Sequence, residues 1–302
     1  MEISESNVIT YLRDTGRAAA EGEILVQALS TPESGNVVLK VFDTTAGAKI
    51  GSDLRTPGQL KQGRPDERMT QGDCYVLKQP RTRDGALDLA RIAQEKACME
   101  LLTAHLPAGS VPEVRWFDDA NGVLAMSCSP PESVLWLKQL STGAVSMDAA
   151  SLAGVLLAMV HSSTKKDAAV KEKFGDGQVL LKQRIEPMFR ATTAKHAGLA
   201  KTLQDALFRL RSPMALIHGD FRPENVLLIP APEGAVAEVT GKPKTAGGPK
   251  VGHLTLVDFE SAYFGHNAFD VATMVSDLLL MGFISLGRWR AFMMLADNFW
   301  QT

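Results

Sequence analysis

The character of the apolar residues changes most clearly close to Pro130-Pro131. Before that point they fall in short runs of branched and aromatic residues bounded by turn formers, as half-buried strands do; after it they recur at helical spacing over longer stretches. Strands followed by helices, instead of strict alternation of the two, predict an α+β protein. The first part is expected to be an antiparallel sheet plus a helix and the second mainly helical. With 302 residues there is room for two such parts. The change of character predicts domains at 1–129 and 130–302.

Within the first part, Ile24–Leu29 and Val37–Phe42 flank the turn former STPESGN and predict a β-hairpin. The segment Thr44–Asp73 is glycine-rich and polar with no apolar stripe, so it reads as an insertion before a third strand, Cys74–Gln79. Leu87, Ala90, Ala93, Ala97, Leu101 and Ala104 recur at helical spacing until Pro107 ends the run. VPEVRWFDD and GVLAMSCS predict a second hairpin about the turn dipeptide Asn121-Gly122. Beyond SPPES, Ala149–His161 and Val179–Leu210 read as helical, and a last apolar helix begins near Asp270. Two short strands, Asn225–Ile229 and Leu254–Asp258, are separated by a Pro/Gly/Lys-rich loop over Pro230–His253.

Charge excludes some partners. With 32 basic against 34 acidic residues and a pI near 6.3, no overall field recruits nucleic acid or an anionic membrane. The N-terminus MEISESNVITYL lacks the basic and apolar regions of a signal peptide, and no apolar run approaches the roughly 18 residues that span a bilayer. A cytoplasmic protein with a small-molecule or protein partner is expected; a homo-oligomer is compatible with this pattern but not indicated by it. Cys74, Cys98 and Cys128 lack CxxC spacing, so free thiols are expected, with neither a disulfide framework nor a zinc site.

Four polar features sit at the ends of apolar elements: Lys78, Glu95, the stretch HGDFRPEN (His218–Asn225), and Asp258 with Glu260. Taken singly they are ordinary. A strand lysine can snorkel, a helix glutamate can lie on a solvated face, and Asp and Asn are turn formers. The pair Asp258 and Glu260 is different: two residues apart at a strand end, both can point the same way, where their charge calls for a cation. Two carboxylates and an asparagine amide are the hard oxygen donors that Mg²⁺ accepts.

In order, strand lysine, helix glutamate, HGDxxxxN, DxE and a helix-initiating Asp resemble the aminoglycoside phosphotransferase and choline kinase superfamily of small-molecule kinases, relatives of the protein kinases. The likeness runs from about Ile24 to Leu280 and is strongest in IHGDFRPENVLL and LVDFESAYFGHNAFDVA. It implies a bilobal, protein-kinase-like fold: an ATP-binding lobe at 1–129 and a catalytic and substrate lobe at 130–302. It further implies ATP and Mg²⁺ as cofactors and the hydroxyl of a small molecule, sugar-like, amino-alcohol or aminoglycoside-type, as acceptor. Lys78 would contact the α- and β-phosphates with Glu95 pairing it, and Asp220 would take the acceptor's proton. Asn225, Asp258 and Glu260 would hold metal. His218 and Asp270 would be structural, and Met126, Ser127 and Ser129 would line the hinge that receives adenine.

Only twelve residues separate Asp258 from Asp270, too few for the activation segment of a protein kinase, so a small-molecule acceptor is favoured. DFESAY is similar to choline and ethanolamine kinases, and AYFGHNAFDVATMVSDLLL to 5-methylthioribose kinase, although the latter usually carry serine where Asn225 stands. No GxGxxG precedes the second strand, only Ser34–Asn36. A metal-dependent hydrolase would want several histidines among the acids, and only His218 lies there. The alternative is a catalytically silent nucleotide-binding or scaffold protein that keeps the fold. Arg222 and Glu224 have no assigned role.

Overall fold

The computed structural model describes residues 1–43, 73–82, 87–175, 177, 185–231, 250–285 and 287–302. Most of both polar insertions read from the sequence, and the stretch 178–184 of the expected helix Val179–Leu210, lie outside the described residues. The chain forms two compact units, Met1–Glu100 with Pro112–Glu132, and Leu101–Val111 with Ser133–Thr302. Among the described residues, no helix is long and apolar enough to cross a membrane.

The first unit carries a five-stranded sheet. Its strands are β1 (Ile24–Ala28), β2 (Asn36–Asp43), β3 (Asp73–Pro80), β4 (Val114–Asp118) and β5 (Val123–Ser127), in the spatial order β1-β2-β3-β5-β4 with every pairing antiparallel. Alternation gives the sheet two different faces. Val37, Leu39 and Val41 of β2, with Tyr75 and Leu77 of β3, pack with Val8, Tyr11 and Leu12 of a short helix α1 (Val8–Asp14) into one buried cluster. The sequence patterns did not predict α1, because its seven residues are too short for a periodic stripe to stand out. Tyr11 donates its hydroxyl to Asp118 Oδ2 at 2.7 Å, which ties α1 to β4.

Residues of opposite parity, Val76 and Lys78 of β3 with Leu124 and Met126 of β5, occupy the other face. Gln79 is fully buried and closes the N-terminus over the unit: its Oε1 accepts from Ile3 N at 2.7 Å, and its Nε2 donates to the carbonyls of Met1 and Asn121. The Asn121-Gly122 turn forms as expected. Gly122 has φ +63°, and a Cβ there would come within 2.6 Å of Leu89 on helix α2 (Leu89–Thr103), so the position requires glycine.

The expected free thiols are corrected at two of three positions. Cys74 and Cys128 form a disulfide, while Cys98 is free and buried. The cause is register: Tyr75 pairs with Ser127 across β3 and β5, so one step outward the two cysteines, 54 residues apart in sequence, stand opposite each other with Cα atoms 5.7 Å apart. Spacing along the chain carries no trace of such a pair.

The second unit is mainly helical. It holds α3 (Trp136–Ser141), α4 (Met147–Ser163), α5 (Ala168–Phe174), α6 (Glu186–Lys195), α7 (Ala200–Leu210), α8 (Ala268–Ile284) and α9 (Trp289–Gln301). Ser146 caps α4, accepting from Ala149 N at 3.3 Å. The buried residues of its first half are small, Ala149, Ala150, Ala153 and Gly154. This lets α9 approach so closely that a Cβ on Gly154 would sit 2.8 Å from the Phe299 carbonyl. Asn298 fixes the register by donating to Met147 O and Ser151 Oγ.

Two small antiparallel ribbons complete the unit: β7 (Ala215–Ile217) with β10 (Tyr263–Gly265), and β6 (Val134–Leu135) with β8 (Val226–Pro230) and β9 (Val251–Leu256). The β8 and β9 hairpin matters most for function. It places the end of HGDFRPEN beside the start of VDFES, and the Val257 amide donates to the Asn225 carbonyl at 3.1 Å.

Candidate active site

On the first unit, Lys78 and Glu95 meet. Lys78 lies on the face of β3 turned away from α1, and α2 presents Ile92, Glu95 and Met99 from one of its sides, all about 1% exposed. The lysine Nζ is 2.9 Å from Glu95 Oε1 and 2.7 Å from Oε2. Both residues are buried, so a lysine and a glutamate that read singly as surface residues are here a desolvated ion pair.

The expected hinge residues follow on the same unit. Met126 is buried on β5. Ser127 donates its amide to the Glu113 carbonyl at 2.9 Å and accepts on Oγ from the Glu113 amide, so its N–H is already engaged. Ser129 comes just after the disulfide-bonded Cys128. The Ser34–Asn36 turn is held by Arg81, whose amide donates to the Gly35 carbonyl and whose Nε donates to the Ser34 carbonyl.

On the second unit, Asp270 organises the HGDFRPEN turn. It is fully buried in the first turn of α8. Its Oδ2 accepts from the His218 amide at 2.8 Å and its Oδ1 from the Gly219 amide at 2.9 Å. His161, at the end of α4, adds a third bond, Nε2 to Asp270 Oδ2 at 3.0 Å. Gly219 has φ +76°, and a Cβ there would run into the Ser261 carbonyl, so only glycine lets the turn close on the 259–261 segment.

His218 turns its ring inward. Its Nε2 is 3.0 Å from the Val257 carbonyl and therefore donates, while the ring packs 4.7 Å from Phe259 and 5.9 Å from Phe221. Both phenylalanines are fully buried. His218 thus clips together the two segments that carry the acids.

Next to this clip, Asn225 Nδ2 donates to the Asp220 carbonyl at 2.8 Å and to Asp220 Oδ2 at 3.1 Å. The amide nitrogen orients the aspartate, so the amide oxygen points to other business. Asp258 sits in the left-handed region at φ +69°, a conformation aspartate tolerates better than most residues. A carboxylate oxygen of Asp258 lies within 4.8 Å of one of Glu260. Two carboxylates so placed are hard oxygen donors of the kind a divalent cation takes.

Arg222 and Glu224 acquire partners. Arg222 Nε donates to Asp277 Oδ2 at 2.7 Å, and its Nη1 is 2.8 Å from Glu224 Oε1. Partial burial opposes the Arg222 charge, but the bond to Asp277 and the surrounding carboxylates hold it on more firmly than usual. Burial pushes the Glu224 carboxyl above its ordinary value; Arg222 pulls it down, and the nearby Asp220, Asp277 and Asp258 push it up again. Asp277 was missed in the sequence. The available signal was its place seven residues after Asp270, two turns along the same helix. His161 was missed too, and nothing local to its stretch marks it.

The chain is similar in fold to an ADP-bound aminoglycoside phosphotransferase, APH(2'')-Ib, at a TM-score of 0.50 and 14% identity over 99% of this chain and 82% of that one. APH(2")-IIa, solved in complex with gentamicin, gives a TM-score of 0.48 at 13% identity over 99% of this chain and 86% of that one. No curated protein matches. The antiparallel sheet with its helix and the mainly helical second unit therefore make up the protein-kinase-like fold. Residues 67–236 span Lys78, Glu95 and the whole His218–Asn225 turn, and they match the phosphotransferase enzyme family; covering more than half of the chain, that match makes the protein a member of the family.

Proposed function

We propose that the protein moves the γ-phosphoryl group of ATP, with Mg²⁺, to a hydroxyl of a small molecule. In this reading the first unit, close to residues 1–129, binds ATP, and the second, close to 130–302, binds the acceptor and performs the chemistry. One observation carries the proposal. Two segments distant in sequence, His218–Asn225 and Val257–Ser261, are joined by His218 while Asp270 fixes the turn of the first; one carries an Asp220 oriented by Asn225 and the other the carboxylate pair of Asp258 and Glu260.

Phosphoryl transfer asks a protein mainly for position and for countercharge. Asp220, held by Asn225, accepts the proton of the acceptor hydroxyl as its oxygen bonds to phosphorus and the bond to the ADP oxygen breaks. Lys78, held in place by its ion pair with Glu95, offsets negative charge on the α- and β-phosphates. Asn225 Oδ1, Asp258 and Glu260 would hold magnesium, which when bound neutralises phosphate charge. Met126, Ser127 and Ser129 would receive adenine, with the Ser127 amide already committed to Glu113. His218 and Asp270 hold the turn and do not touch substrate.

The test is acceptor-dependent ADP release paired with nucleotide calorimetry. Asp220→Asn is expected to lower turnover by about 100-fold or more while leaving Mg·ATP affinity intact. Asp258→Ala is expected to abolish Mg-dependent nucleotide binding. Turnover that survives the first change removes Asp220 as the base, and unchanged Mg·ATP affinity in the second removes the metal assignment.

A further inference from the structure

We propose that the acceptor is a neutral or singly charged alcohol with a largely apolar body, and not a polycation. The inference rests on Asp220 as the base, and it comes from the cavity that Asp220 lines. That cavity, about 690 Å³, lies within the second unit. Its volume falls within the roughly 300–1,000 Å³ that small-molecule sites occupy.

Much of the cavity wall is apolar: Ile185 just before α6, Met188 and Phe189 on α6, Leu210 of α7, and Phe269 and Ala272 of α8. Ile185 is buried, but the helical residues of this wall are not part of a core. Neither α6 nor α7 buries any of its own residues, and Met188 is 56% exposed. Large apolar side chains on two helices with no buried face, gathered around one cavity, mark a binding wall.

Charge points the same way. Among the described residues, the ionised side chains on the cavity are Asp220, Asp277, Arg222 and Arg209, two of each sign, with His266 beside them. Asp277 is engaged by Arg222 at 2.7 Å, and Asp220 is oriented by Asn225. A ligand with several ammonium groups needs several carboxylates to replace its water. Here it would meet an apolar wall and two guanidinium groups, leaving its charges desolvated and unmatched. A ligand with an apolar body and one hydroxyl on Asp220 buries its surface against α6 and α8 at no such cost.

Calorimetry and ADP release on the full chain decide it, using 2-(2-naphthyl)ethanol and 4-phenylcyclohexanol as neutral probes and gentamicin as the polycation. Neutral alcohols are expected to bind and to release ADP. Met188→Glu is expected to weaken them about tenfold or more by putting a charge on the apolar wall. Phe189→Ala is expected to weaken them as well, thermal unfolding confirming that both variants fold. The proposal is overturned if neither neutral alcohol binds, if gentamicin binds more tightly than both, or if the two substitutions leave alcohol affinity unchanged. Binding that depends on Met188 and Phe189 with no ADP release supports the ligand class and defeats the phosphotransferase reading. ADP release with gentamicin alone does the reverse.

Discussion

Glu95 and Asp270 are both buried carboxylates, on different units, and they are stabilised in different ways. Asp270 accepts two backbone amides and one histidine, so its charge is spent on holding a turn. Glu95 meets the ammonium of Lys78 with both carboxylate oxygens, at 2.9 and 2.7 Å, so its charge is spent on holding a side chain. A carboxylate bonded to main-chain amides fixes the path of the chain. One bonded to a side-chain cation fixes only where that cation points, and the difference separates a structural acid from one that serves the site.

Three substitutions probe that contrast. The largest effect is expected from Asp270→Ala, which strands two buried amides and His161. The loss should be roughly 5 kcal/mol, enough to unfold a domain of ordinary stability, and chemical denaturation measures it. If the variant folds with near-normal stability, Asp270 does not organise the turn. Lys78→Met comes next: it leaves Glu95 buried without its cation, a cost of about 3 kcal/mol. Here the comparison sharpens, since Lys78→Met with Glu95→Leu should regain most of the stability and none of the turnover. A double variant that stays as unstable as the single one would place Glu95 with Asp270, as a structural acid.

The smallest effect belongs to an acid that is neither. Glu224 has a raised carboxyl pKa in the fold, so the fold favours its protonated form. Its contribution is fully present below the ordinary value of 4.5 and is lost as pH climbs through the folded value. Glu224→Gln is therefore expected to raise Tm slightly at pH 7 and to leave it unchanged near pH 4. A fall in Tm at pH 7 would show instead that the Glu224 and Arg222 pair supports the turn.

Much of this was legible in the sequence, because short branched runs and turn dipeptides report local structure. The three strands of the first hairpin and insertion, the strands about Asn121-Gly122 and the helix near Asp270 all formed close to their expected bounds. What stayed hidden was decided by pairing at a distance. β7 and β10 have three residues each and exist only because they pair with one another. α9 has apolar residues around much of its circumference, buried Phe292 and Leu295 and exposed Met294 and Trp300, which blurs the periodic signal. At the site, motif residues could be picked out through resemblance, whereas Arg222 needed Asp277, a partner 55 residues on, to acquire a role.

The bond between Cys74 and Cys128 has a topological consequence. It turns residues 74–128 into a covalent ring, and Lys78, Glu95, Met126 and Ser127 all belong to it. A single cut of the chain anywhere in that ring leaves two fragments still joined, with β3 and β5 held in register. Under oxidising conditions the ion pair and the β5 end form a closed circuit, and a reductant opens it at one place.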